Sequence, residues 1–160
     1  MGIRGDVLAY RGDSNISNSI GKVVFAVTNS LENGAAVDLT PPYQLHGGSG
    51  ALEPSGLNTT TTITYIDGNV TVAQIPWTLT WGHTHSSDYR LAKQDEALIT
   101  VWLHPYNGAA WSEGSNPPFL GNNNLKTRQK FTLVINQSNG AGLQIQRTTP
   151  VFLDPTTDLH

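Results

Sequence analysis

Trp77-Thr78-Leu79-Thr80-Trp81 is the stretch on which the reading of this chain turns. Its odd positions are bulky and apolar and its even positions are threonine, which is the alternation of a strand with one face in a core. The pattern predicts that Trp77, Leu79 and Trp81 are buried. Pro76 immediately before the run fits the start of a strand, where a missing N–H matters least.

The same texture extends outward in both directions. Short runs rich in Val, Ile, Thr and aromatics are separated by clusters of Gly, Asn, Pro and Ser, and no long stretch keeps helical spacing. Strands are expected at 3–10, 22–28, 36–39, 60–66, 70–74, 77–81, 97–103, 130–136 and 143–148. Short strands in this number predict an all-β fold, an antiparallel β-sandwich of the immunoglobulin-like kind. With 160 residues, 38% of them hydrophobic, the chain encloses one core and forms a single domain over residues 1–160.

Asp67-Gly68 between Ile66 and Val70 predicts a tight hairpin, because this pair readily takes the positive φ that such a turn demands. Asn33-Gly34 is a second turn of the same kind with a longer loop. Residues 105–124 are rich in Gly, Asn, Ser and Pro, and their large members, Tyr106, Trp111 and Phe119, follow no useful period. They read as a long surface loop. Its aromatic tips either meet a neighbouring subunit or ligand or, more plainly, pin the loop to its own domain.

Only 13% of residues are charged and the formal net charge is -3, so there is no basic field to gather phosphates. Nucleic acid and anionic membranes are not expected partners. The absence of cysteine removes disulfides, thiolate metal sites and cysteine nucleophiles together. No run approaches the ~20 apolar residues that cross a bilayer, and Met1-Gly2-Ile3-Arg4 lacks the basic flank and apolar core of a signal peptide. A native segment upstream of this abrupt start is expected.

His83-Thr84-His85, Ser86, Ser87 and Asp88, with Asp95-Glu96 beyond, form the one dense group of potential ligands. Two histidines one residue apart share a side of an extended segment, but no third imidazole or thiolate follows at a diagnostic spacing, so solvated loop histidines are the plainer reading. A hard cation suits the segment better. Asp88 and Asp95, with the hydroxyls of Ser86 and Ser87 and backbone carbonyls, make an oxygen cage for calcium or magnesium, although the spacing is not that of an EF-hand. The bland alternative is a solvated turn.

Asp95 and Glu96 are adjacent and point to opposite faces of a strand, unlike a glycosidase pair. No Gly-x-Ser-x-Gly elbow and no phosphate-cradling glycine loop occurs, so catalytic residues are not expected. Arg4-Gly5-Asp6 and Arg11-Gly12-Asp13 match an adhesion tripeptide too short to carry weight. Four Asn-x-Ser/Thr sequons, at Asn15, Asn58, Asn69 and Asn136, lie beside expected turns or strand ends and favour a secreted, glycosylated surface.

Gly5-Asp6-Val7-Leu8-Ala9-Tyr10 near the start, Val37-Asp38-Leu39-Thr40-Pro41-Pro42, the Trp77-Leu79-Trp81 strand, Arg147-Thr148-Thr149-Pro150 and the terminal Asp158-Leu159-His160 together resemble archaeal flagellins, the archaellins. The resemblance follows the same order through essentially the whole chain. It implies an outer β-sandwich of the archaellum, attached to an apolar N-terminal helix that packs in the filament core after prepilin-like processing. It further implies an extracellular, non-catalytic subunit serving swimming motility and adhesion, with self-association into a helical filament in the full-length protein. Without the core helix, the chain is expected to be monomeric.

The resemblance also implies N-linked glycans on the sequons and a metal in the loop after the tryptophan strand, where Asp88 and Asp95 match acidic positions. The family's Leu-Glu-x-Gly-Glu pattern is altered, since Ala92 and Gln94 replace its first carboxylate and its glycine. The competing expectation is a secreted carbohydrate-binding or adhesion sandwich that uses Trp102, Tyr106 or Trp111 as a sugar-stacking platform.

Overall fold

A computed structural model describes residues 1–29, 34–83, 88–115, 118–138 and 142–160. The chain forms two principal antiparallel sheets with the core between them. The larger contains β1 (Gly2–Arg11), β2 (Ile20–Thr28), β8 (Trp77–Trp81), β10 (Glu96–Trp102) and β13 (Thr156–Leu159), in the order β13-β1-β2-β10-β8. The smaller contains β6 (Thr62–Asp67), β7 (Thr71–Val72), β11 (Lys130–Asn136) and β12 (Leu143–Thr148), in the order β12-β11-β6-β7. Two short ribbons lie outside them: β3 (Val37–Asp38) with β9 (Arg90–Leu91), and β4 (Tyr43–Leu45) with β5 (Leu52–Pro54). This is the expected all-β, sandwich-like architecture. No helix among the described residues is long and apolar enough to cross a membrane.

Register explains the core. In the larger sheet Ala9 pairs with Val23, Val23 with Val101 and Val101 with Trp77, so one row of buried apolar side chains crosses four strands on a single face. Opposite it, Leu133 pairs with both Tyr65 and Ile145, giving the second sheet a matching row. The Tyr65 and Phe131 rings stack at 6.0 Å between centroids. Each such side chain contributes about 1.5–3 kcal/mol on leaving water.

The structure revises the tryptophan strand. Trp77 is buried, but Leu79 and Trp81 are only half-buried, because β8 is an edge strand and its later half faces the sheet margin. Thr78, expected to face solvent, is 7% exposed. Trp102 on the outer face of the same sheet covers it, donating its indole N–H to Thr78 Oγ1 at 3.0 Å.

The hairpin between β6 and β7 forms where expected, but by another mechanism. Neither Gly68 nor Asn69 takes a positive φ. Instead the Asp67 carboxylate accepts the amides of Asn69 and Val70 at 2.7 and 2.9 Å, closing the turn through a side chain. The same carboxylate accepts the buried Tyr65 hydroxyl at 2.8 Å; burial first, and then this bond, push the phenol pKa far above its usual value. The second turn expected, Asn33-Gly34, lies partly outside the described residues. Strands expected at 36–39 and 70–74 shorten to two residues each. β4, β5, β9 and β13 were not anticipated, since none carries more than one or two large apolar residues.

Candidate functional site

The loop proposed to hold a cation follows β8. His83 and Asp88 are exposed and Asp95 is half-buried, while Ser86, Ser87 and His85 lie outside the described residues. Asp95 Oδ2 accepts the Ala92 amide at 2.9 Å and closes the turn that leads into β10. Gln94 sits in this turn at φ 67, the left-handed region that favours glycine, which is the residue the archaellin pattern places there. Asn29 anchors the segment from the end of β2, its side-chain amide donating to Leu91 O at 3.2 Å and its backbone carbonyl accepting Gln94 N at 3.1 Å. Among the described residues no cluster of three acidic or histidine side chains surrounds one point.

The four sequon asparagines are all exposed. Asn15 lies in a 3-10 turn (Ser14–Ile16) between β1 and β2, Asn58 precedes β6, Asn69 is in the β6–β7 turn and Asn136 ends β11. None is in a core position, so a glycan on any of them meets solvent rather than packed side chains.

The adhesion-like tripeptides have structural work instead. At Arg4-Gly5-Asp6 the pairing of β1 with β2 shifts register, and Gly5 takes φ 74 there. Arg4 forms an exposed ion pair with Glu96 at 3.0 Å, of a kind that adds little stability. Asp13 of the second tripeptide caps the 3-10 turn through the Asn15 amide at 3.0 Å and accepts the Trp111 amide at 3.0 Å.

That last contact decides the role of residues 105–124. Its described residues 105–115 do not form a free surface loop. Tyr106 and Trp111 bridge each other across a tight turn that Asn107 Oδ1 closes by accepting the amides of Ala109 and Ala110. Both rings lie against Trp102, with centroids 5.8 and 5.7 Å away, and Trp102 is 2% exposed. Lys22 completes the cluster, its ammonium 4.9 Å from the Trp102 ring and 5.0 Å from the Tyr10 ring, and burial lowers its pKa. A sugar cannot stack on a tryptophan already covered by its own chain, so Trp102 is not available as the platform expected of a carbohydrate-binding module.

Two further features were not anticipated from residue order. His104, next to this cluster, is fully buried; its Nδ1 donates to Glu113 O at 3.5 Å and its Nε2 has no partner among the described residues. Burial lowers its pKa, outweighing the opposing pull of Glu113. The loop between β12 and β13 carries Phe152 at 81% exposure. Pro150 and Pro155 bracketing a Val-Phe pair were the available signal.

No protein-family model and no curated protein matches the sequence. Among solved structures, the crystal structure of archaeal flagellin FlaB1 from Methanocaldococcus jannaschii superposes with a TM-score of 0.61 at 14% identity, covering 96% of this chain and 93% of that one. The archaeal flagellum of Methanospirillum hungatei strain JF1 superposes with a TM-score of 0.57 at 13% identity, covering 98% of this chain and 68% of that one. At these identities the likeness is one of fold, and the chain has the archaellin-like fold along nearly its whole length.

Proposed function

We propose that this chain is the outer domain of an archaellum-type filament subunit, an extracellular structural protein without catalytic activity. The observation that carries the reading is the end-to-end agreement in fold with an archaeal flagellin, reached independently of the sequence motifs that suggested the same family. The work of such a domain is geometric. It presents faces that repeat along a helix, because heterologous contacts that do not close into a ring generate a filament. Motility follows from rotation of that filament by a motor elsewhere, and adhesion from its exposed surface.

Antibodies raised against the 160-residue chain test the reading in the source cells. Immuno-electron microscopy is expected to show label along surface filaments; label confined to the cytoplasm would sink it. N-linked glycans on Asn15, Asn58, Asn69 and Asn136 belong to the same proposal, supported by the exposure of all four. Peptide mass spectrometry of native protein is expected to find at least one of them modified.

The loop cation, calcium or magnesium on Asp88 and Asp95 with Ser86 and Ser87, is supported by the hard-oxygen donor set and the left-handed Gln94. Removal of a ligand bound at about 100 times its Kd costs roughly 2.7 kcal/mol. Chelation and Asp88→Ala are therefore expected to lower Tm by similar amounts, Asp95→Ala by more because it also frees the Ala92 amide, and chelation to have no further effect on either variant. Identical melting curves with and without chelator remove the metal while leaving the filament untouched.

A further inference from the structure

We propose that Phe152 is an assembly knob that seats in a pocket at the opposite edge of a second copy of this chain, an inference that rests on the filament reading. Phe152 is 81% exposed and Val151 beside it 58% exposed, the two most exposed large apolar side chains described. They do not sit on a loose tip. Arg128 N donates to Pro150 O at 3.1 Å, Arg11 N to Pro155 O at 3.1 Å and Arg11 Nη1 to Leu153 O at 2.9 Å, while Leu153 packs on the core. The backbone on both sides of Phe152 is held, so little loop entropy remains to be lost when the ring is covered, a condition that favours a binding anchor over a stray surface residue.

The pocket has a volume of about 390 Å³, with Ile75 and Trp77 at its floor and Pro42, Tyr43, Thr61 and Ala73 around it. A cavity of about 150 Å³ already accommodates benzene, so a phenyl ring fits with room for its approach. Among the described residues no charged side chain lines it.

Placement and charge say what fills it. The Phe152 loop runs into β13, one edge of the five-stranded sheet, whereas Trp77 begins β8, the other edge. A copy cannot fill its own pocket. It can give a knob at one edge and receive one at the other, which is the heterologous geometry that propagates.

Near the knob lie Arg11, whose guanidinium bonds Leu153 O, and Arg128, whose backbone amide bonds Pro150 O, with the acid Asp154 in the same loop. Near the pocket lie Asp38, whose carboxylate accepts the Thr60 hydroxyl and whose backbone carbonyl accepts that of Thr61, and Glu53, beside the Pro54 that pairs with Tyr43, with Arg90 the strand partner of Asp38. The bases near the knob and the acids near the pocket are of opposite sign, a difference that favours and orients association of the two apolar centres.

The absence of native cysteine allows a single label to be placed. A Val151→Cys copy carrying a nitroxide is mixed with an unlabelled ¹⁵N copy, and intermolecular relaxation enhancement is read by NMR. Broadening of the Thr61, Ala73 and Gln74 amides and the Trp77 indole is expected. It is expected to vanish when the labelled copy also carries Phe152→Ser, or when the ¹⁵N copy carries Ala73→Arg at the pocket mouth. Both positions are exposed, so neither change threatens folding. Absence of pocket broadening, or its survival in Phe152→Ser, overturns the knob. Broadening confined to another face also overturns it while leaving self-association, and so the filament reading, standing; antibody labelling decides that reading separately.

Discussion

Two segments border the five-stranded sheet carrying prolines and aromatic rings, one leaving it after β10 and one entering it at β13, and they end in opposite situations. Residues 105–115 fold Tyr106 and Trp111 back over Trp102, while residues 150–155 hold Phe152 out in water. The difference lies in the ground beneath them. Gly21 in β2 leaves space that a Cβ would fill, since that atom would stand 2.7 Å from the Trp111 ring, and Asp13 fixes the Trp111 backbone above it. The 150–155 loop is fastened through its backbone carbonyls and through Leu153 on the core, and no partner among the described residues covers Val151 or Phe152. Aromatic residues in a loop therefore say nothing of their role until their anchoring atoms are known.

The contrast can be broken most forcibly at Trp102. Trp102→Ala removes the centre of the cluster and the partner of Thr78, and is expected to cost about 3–5 kcal/mol in denaturant unfolding. A loss within about 0.5 kcal/mol would mean that the cluster is not structural, reopening the sugar platform. Gly21→Ala should cost roughly 1–3 kcal/mol by driving a methyl into the Trp111 ring. An unchanged Tm would show that Trp111 moves aside freely.

A pH titration sharpens the same comparison. His104 is buried beside the cluster with a lowered pKa, so the unfolded chain takes up its proton first as pH falls. Stability from this group is complete above about 6.5, the ordinary histidine value, and is lost as pH drops below it. His104→Gln is expected to flatten that part of the Tm profile, and an unaltered acid slope would remove His104 as its source. At the other loop the expected effect on stability is smallest: Phe152→Ser should lie within about 0.5 kcal/mol of wild type. A larger loss would place Phe152 inside its own domain and undo the contrast.

Much of the fold was legible from periodicity. The strands at Trp77–Trp81, Lys130–Asn136 and Leu143–Thr148 lie where alternation put them, because one buried face is a local property of residue order. β13 was not legible, because Thr156–Leu159 offers one large apolar residue and becomes a strand only by pairing with β1. Of the candidate site residues, the sequence could place Asp88 and Asp95 in one loop and the sequons near turns. It could not show that Asp95 would close the turn at Ala92.

Residue order by itself determined that this is an all-β chain of one-faced strands, and its scattered motifs pointed to the archaellin family. Only the tertiary structure decided which aromatic rings are core and which are surface. Trp102 and Phe152 are both large and apolar, and the hydrophobic effect would bury either. What separates them is whether distant residues, Gly21 and Asp13 for one cluster and Arg11 and Arg128 for the other loop, converge to cover the ring or to hold it out.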